Sequence, residues 1–280
     1  MERKTVEVLF ENFSRQFVNN NNQLEENLKI KIDQLYTQLE SLSWLQSSLS
    51  LKGSLPPLRG WPVSPDFLLM LHSWIKKNKP KVIVEMGSGA STLVIADALR
   101  QNNSGFLFSF EHLKKYGNQT WKSLVDEQLT SWVDLRICEL SSWNRDHLNP
   151  PESKTPSRWY SSNFEGISDI DILIVDGPPG TVCSYSRYPA LPAFIDRLSV
   201  NAEIWLDDAN RQDEKDIFKR WAELYAFDVE YVPLEKGLAK LTRSSRYPTD
   251  SYSKSVMNTF KIGNEDFEHT LGLNFSLPEK

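Results

Sequence analysis

The apolar run Val82-Ile83-Val84-Glu85-Met86, broken at once by Gly87-Ser88-Gly89 and followed by a helical pattern from Ser91 to Arg100, constrains this chain more than any other feature. A β-branched run of this kind is a strand buried on both faces, and the glycines let the backbone turn sharply above its end. The unit recurs through Phe106 to Phe110, Lys114 to Leu129 and Val133 to Ile137. A second half follows with Ile170 to Val175, a helix around Ala190 to Leu198, Glu203 to Leu206 and a helix from Arg211 to Tyr225. Strands that alternate with helices predict an α/β fold, a doubly wound, mostly parallel sheet of seven strands with helices on both faces. The final pair, Asp228 to Val232 and Leu238 to Leu241, is joined only by Pro233 to Gly237, too short for a helical crossover, so the last strand is expected to be antiparallel.

The first 50 residues have a different character. They lack Gly and Pro and space Leu28, Ile32, Leu35, Leu39, Leu42 and Leu49 at four- and three-residue steps, interrupted only by Gln46. Such a seam packs on another helix, either within the chain or as a coiled coil that makes a homo-oligomer. Asn19 to Asn22, poor helix formers, predict a break between a short first helix and this longer one. Prolines and glycines from Gly53 to Pro65 mark a linker, after which Ser64 and Pro65 open a helix that ends before Pro80. The expected organisation is an N-terminal helical segment (1–52), one α/β domain (53–242) and a C-terminal extension (243–280) without a legible motif.

Composition narrows the partners. A formal net charge of −5 argues against a polyanion such as nucleic acid. No apolar signal core follows the first residues and no window reaches the length of a membrane span, so a cytoplasmic protein is expected. Cys138 and Cys183 are too few for a disulfide framework or a cysteine zinc site.

The glycine turn gains chemical meaning from two acids, Glu85 at the end of the first strand and Glu111 at the end of the next, roughly twenty residues beyond the glycines. A carboxylate in the second position accepts hydrogen bonds from the two ribose hydroxyls of a nucleoside. Val-Ile-Val-Glu-Met-Gly-Ser-Gly-Ala-Ser-Thr resembles motif I of class I S-adenosylmethionine-dependent methyltransferases, and Phe-Glu-His resembles their acidic second motif. The resemblance spans about residues 55 to 242. It implies that Glu85, Gly87 and Gly89 surround the methionine part of S-adenosyl-L-methionine while Glu111 holds the ribose; Ser88 and Ser91 are further donor-site candidates, Ser91 standing where a third glycine is common. His112 is expected to cover the ribose or adenine, and Ile137, Cys138 and Glu139 hold the positions nearest the adenine. The rival ligand is a nicotinamide dinucleotide, but a dehydrogenase wants a glycine where bulky Thr92 stands.

Two further acidic strand ends should meet at the same sheet edge: Asp176, before the rigid turn Gly177-Pro178-Pro179-Gly180, and the pair Asp207-Asp208. Clustered carboxylates repel unless a proton or a cation is shared, and oxygen ligands of this kind suit Mg²⁺. The arrangement resembles metal-dependent O-methyltransferases, which implies Asp176, Asp207 and Asp208 as metal ligands holding an acceptor hydroxyl. Asp176 as a metal-free base and Asp208 as a helix cap are the alternatives. The segment through Arg187-Tyr188-Pro189-Ala190-Leu191-Pro192 resembles a bacterial methyltransferase family with poorly defined acceptors. Residues 141 to 168 form a long, aromatic-rich insertion expected to act as a lid, with Trp159 and Tyr160 stacking on an acceptor and His147 as general base, or else pinning the loop to the domain. The expected activity is O-methylation of a small-molecule or carbohydrate acceptor. The reading from another class is a non-catalytic scaffold that keeps the donor-site fold while its N-terminal helix organises a complex.

Overall fold

Parallel strands hidden between helices must be apolar along their whole length, and the central strands obey this. In the computed structural model, which describes residues 2–148, 156–162 and 164–244 with side chains from residue 13 onward, Ile83, Val84, Leu173, Ile174 and Leu206 are fully buried. The chain separates into two compact units, residues 1–243 and 244–280. All of the second unit but Ser244, and with it nearly all of the expected C-terminal extension, lies outside the described residues.

The elements run α1 (Glu2–Ser48), α2 (Pro65–Asn78), β1 (Val82–Met86), α3 (Ala90–Asn102), β2 (Phe106–Glu111), α4 (Lys114–Asp126), β3 (Val133–Ile137), β4 (Leu140–Ser142), β5 (Arg158–Tyr160) and β6 (Ile170–Val175). Then follow α5 (Ala190–Phe194), β7 (Leu198–Asp207), α6 (Gln212–Tyr225), β8 (Phe227–Val232) and β9 (Leu238–Arg243). The seven-stranded sheet has the order β3-β2-β1-β6-β7-β9-β8. β1 pairs in parallel with both β2 and β6, while β9 runs antiparallel between β7 and β8. The doubly wound sheet with an antiparallel last strand is the one expected from the sequence. Its direction of winding reverses between β1 and β6, and the crevice above that point is where ligands bind in such sheets.

Alternation along the strands builds two cores. Ile83, Ile172, Ile174 and Trp205 face α2 and α3, whereas Val84, Leu173, Val175 and Leu206 join Phe194 and Trp221 on the opposite face. Local signals set the helix ends: Pro65 occupies the first turn of α2, and Lys79 and Asn103 close α2 and α3 in the left-handed region at φ 49° and 50°. In α6, Ile217, Phe218, Trp221 and Tyr225 form the buried stripe.

Two regions differ from the sequence reading. α1 continues through Asn19–Asn22 without a break, because asparagine costs well under about 1 kcal/mol per helical position while a second helix must be nucleated anew. Among the described residues its leucine seam meets the core at the C-terminal end, where Leu49 packs partly buried beside fully buried Leu45, and Gln38 donates to Asp66 at 2.8 Å. Leu28, Ile32, Leu35 and Leu39 are 51 to 61% exposed. The 141–168 insertion contains an antiparallel hairpin, β4–β5, and buries Trp159, Phe164 and Ile167 in the core, so its described part is anchored to the domain. Among the described residues, no helix is long and apolar enough to cross a membrane.

Trp221 joins α6 to the rest: its ring is fully buried and its Nε1 donates to the Tyr188 carbonyl at 3.1 Å. Trp221→Ala is expected to cost about 3–5 kcal/mol, read from urea unfolding as a lower midpoint at an unchanged slope.

Candidate active site

At the C-terminal edge of β1, β2, β6 and β7 lies a cavity of about 990 Å³. One end is made by the turn after β1. Gly87 has φ +98°, and a Cβ there would stand 3.2 Å from the Asp176 carbonyl carbon and 3.3 Å from the Gly177 nitrogen. Glycine is therefore required both for the turn and for the close approach of the turn after β6. A Cβ on Gly89 would meet nothing within 4 Å, so this residue leaves its space to the cavity.

Glu111 lines the cavity and is held rigidly, because Ser88 N–H donates to its Oε2 at 3.2 Å and Leu113 N–H to its Oε1 at 2.8 Å. His112 Nδ1 lies 3.2 Å from Glu111 Oε1, and Ser88 Oγ lies 3.3 Å from Thr120 Oγ1 on α4. Glycines, a fixed carboxylate, a histidine and hydroxyls thus converge where the sequence places the donor.

Glu85 does not line that cavity. It is fully buried behind the turn, where its Oε2 accepts from Thr92 Oγ1 and from Ser109 Oγ, each at 2.6 Å. Thr92 Oγ1 also accepts from Gly89 N–H at 2.9 Å, so Glu85 orients the start of α3. Burial raises its carboxyl to about 7, against the pull of the Ser109, Ser91 and Thr92 hydroxyls. Ser91 lines the cavity while reaching back to Glu85. Cys138 and Glu139 do not line it: Cys138 packs against the core, and the Glu139 carbonyl accepts from Ser161 N–H at 2.8 Å.

At the other end, Asp176, Asp207 and Asp208 come together with one oxygen from each within 4.8 Å of the others. Asp208 adopts φ +60°, a conformation aspartate tolerates, which starts the turn from β7 into α6. Burial raises the Asp176 carboxyl well above the usual range, with Asp207 adding to the effect and Arg187 opposing it. Asp207 is raised to about 6, again chiefly by burial and then by Asp208. Tyr160 lines the cavity with its ring 6.1 Å from that of His112, and a Cβ on Gly177 would stand 2.6 Å from its hydroxyl. His147 is exposed and apart from the cavity, and Trp159 belongs to the core.

Several lining residues had no role in the sequence reading. Arg187 sits among the carboxylates, signalled only by being a lone cation in an apolar stretch, which must pair if buried. Trp61, on the linker before α2, lies 5.9 Å from Tyr116 of α4 across the rim of the cavity. The linker is pinned by Lys236, whose Nζ donates to the carbonyls of Gly60 at 2.8 Å and Pro62 at 2.7 Å.

No family model and no curated protein matches the sequence. Among solved structures, a Geobacter sulfurreducens methyltransferase is similar at 18% identity and a TM-score of 0.46, over 63% of this chain and 78% of that one. A Podospora anserina methyltransferase with S-adenosylhomocysteine bound is similar at 15% identity and a TM-score of 0.49, over 74% and 88%. A Bacillus cereus O-methyltransferase in complex with S-adenosylhomocysteine is similar at 15% identity and 0.49, over 75% and 91%. The chemistry of the cavity is read from its own residues.

The raised Glu85 carboxyl gives a pH signature. A carboxyl whose folded pKa exceeds its unfolded value keeps its proton longer in the folded state, so stability falls as pH rises from 4.5 to about 7. Glu85→Gln removes that loss. The variant should match the parent near pH 4 and exceed it by about 3 kcal/mol at pH 8, measured by denaturant unfolding across the range. Parallel stability curves would show that the carboxyl titrates normally.

Proposed function

We propose that this chain is an S-adenosylmethionine-dependent methyltransferase that transfers the methyl group to an oxygen of a small-molecule or sugar-containing acceptor. The observation that carries this reading is that one cavity joins the Gly87-Ser88-Gly89 turn and Glu111 to Asp176 and Asp208. The turn accommodates the methionine part of the donor, and the fixed Glu111 carboxylate accepts from the ribose hydroxyls. His112 and Tyr116 flank the nucleoside end. The acceptor lies toward Asp176 and Tyr160.

In the transfer, the acceptor oxygen attacks the methyl carbon from the side opposite sulfur. The O–C bond forms as the C–S bond breaks, and S-adenosylhomocysteine leaves with the electron pair on sulfur. The hydroxyl proton goes to Asp176, whose raised carboxyl makes it a stronger base than an exposed aspartate. Holding donor and acceptor in line supplies much of the acceleration. The carboxylate set of Asp176, Asp207 and Asp208 has the ligand chemistry of a Mg²⁺ site. Arg187 Nη2 already engages Asp176 Oδ1 and Asp208 Oδ2, so the set does not fit a resident divalent ion and no step is assigned to one.

Calorimetry tests the donor site. S-adenosylmethionine and S-adenosylhomocysteine should bind, and Glu111→Ala should weaken both by about tenfold or more, which corresponds to about 1.4 kcal/mol. Folded protein that binds neither would end the proposal.

Self-association through α1 is part of the same reading. Phe13, Phe17, Leu24, Leu28, Ile32, Leu35 and Leu39 form an exposed stripe at helical spacing. A second copy of this helix offers the matching apolar surface. Leu28→Glu with Leu35→Glu should lower the particle mass in light scattering without changing donor affinity; an unchanged mass would refute self-association.

A further inference from the structure

The acid cluster at the ends of β6 and β7 has a cation of its own. Arg187 is 2% exposed. Its Nη2 donates to Asp208 Oδ2 at 2.7 Å, to Asp176 Oδ1 at 3.1 Å and to the Asp176 carbonyl at 3.0 Å. Its Nη1 donates to the Asp207 carbonyl at 2.9 Å and lies 3.7 Å from Glu214 Oε1. One guanidinium thus ties together both strand-end turns and the first turn of α6. Arg211 adds a second positive group on the outer side, with Nη1 3.0 Å from Asp208 Oδ2.

The segment that carries Arg187 is held as firmly as the group itself. Ser186 Oγ donates to the Pro178 carbonyl at 2.8 Å, and the Tyr188 carbonyl accepts from buried Trp221. The chain on both sides of Arg187 is thus anchored, and its side chain is buried against the carboxylates. Magnesium requires oxygen ligands at about 2.1 Å in near-octahedral order. One oxygen each of Asp176 and Asp208 is committed to Nη2, and the fixed positive charge beside them repels a second cation.

We infer that Arg187 is the resident cation of the acceptor site, standing where a divalent ion would bridge Asp176 and Asp208, and that it positions Asp176 toward the acceptor. Its role in transfer rests on the methyltransferase reading; its occupation of the cation position does not. Arg187 is a positioning residue. A lysine, with one compact ammonium, cannot reach both turns as the planar guanidinium does.

Mn²⁺ titrations of the full chain, followed by calorimetry and by electron paramagnetic resonance without donor or acceptor, test the inference. The parent protein is expected to bind no Mn²⁺ up to about 1 mM, the weak end of oxygen-ligand sites. Arg187→Met, which keeps the stem and removes the charge, is expected to gain Mn²⁺ affinity by about tenfold or more, and adding Asp208→Asn should abolish the gain. Stoichiometric binding by the parent that Asp176→Asn removes would overturn the inference. So would a folded Arg187→Met protein that binds no Mn²⁺. If that variant does not fold, the parent titration still decides the matter, and donor calorimetry separately decides the methyltransferase reading.

Discussion

The contact between the turn after β1 and the turn after β6 governs the site. These strands are neighbours in the sheet although most of the first half of the domain lies between them in sequence. Because Gly87 has no side chain, its backbone rests against the Asp176 and Gly177 backbone at near-contact distance. The Glu111 end and the Asp176 end of the cavity are therefore two sides of one packed junction. Any residue larger than glycine at 87 would separate the acid at 176 from the carboxylate at 111, as well as strain the turn.

The sheet was legible because its signal is local and repeated. Burial on both faces forces continuous apolar strands, and a connection as short as 233–237 forces an antiparallel pair. The residues that single strand ends deliver, Gly87, Gly89, Glu111, Asp176 and Asp208, were legible for the same reason. Position at a strand end was not sufficient, however. Glu85 stands one residue before the end of β1 whereas Glu111 ends β2, and the Glu85 side chain points to Thr92 and Ser109 on the buried side. Alternation along a strand decides which of two adjacent residues faces the crevice, and the bend at a glycine turn shifts that alternation by an amount the sequence does not display. Arg187, Trp61 and Tyr116 were illegible for another reason: they reach the cavity from segments far apart in the chain, and their roles exist only once tertiary contacts form.

The acid cluster shows how a buried polar group can be retained. Burying a carboxylate costs several kcal/mol unless partners replace its water. Asp176 and Asp208 recover this from Arg187, and Asp207 lends its backbone carbonyl to the same guanidinium. Arg187 in turn depends on tight packing around Tyr188 and Trp221 on the far side of the sheet from α2 and α3. Charge placement at the cavity is thus set by hydrophobic packing well away from it.

The linker between α1 and α2 connects the long exposed helix to the same cavity. Its backbone is caught by carboxylates: Lys52 N–H and Gly53 N–H donate to Glu127 at 2.6 and 2.7 Å, and Ser50 N–H donates to Asp97 at 2.9 Å. Further on, Lys236 holds the carbonyls around Gly60, leaving Trp61 against Tyr116 at the rim. Proline and glycine prevent this stretch from making regular hydrogen bonds of its own, so these outside partners define its path. A chain fixed at so many points is a wall of the cavity as well as a tether, and the helix that carries the exposed apolar stripe leads directly into it.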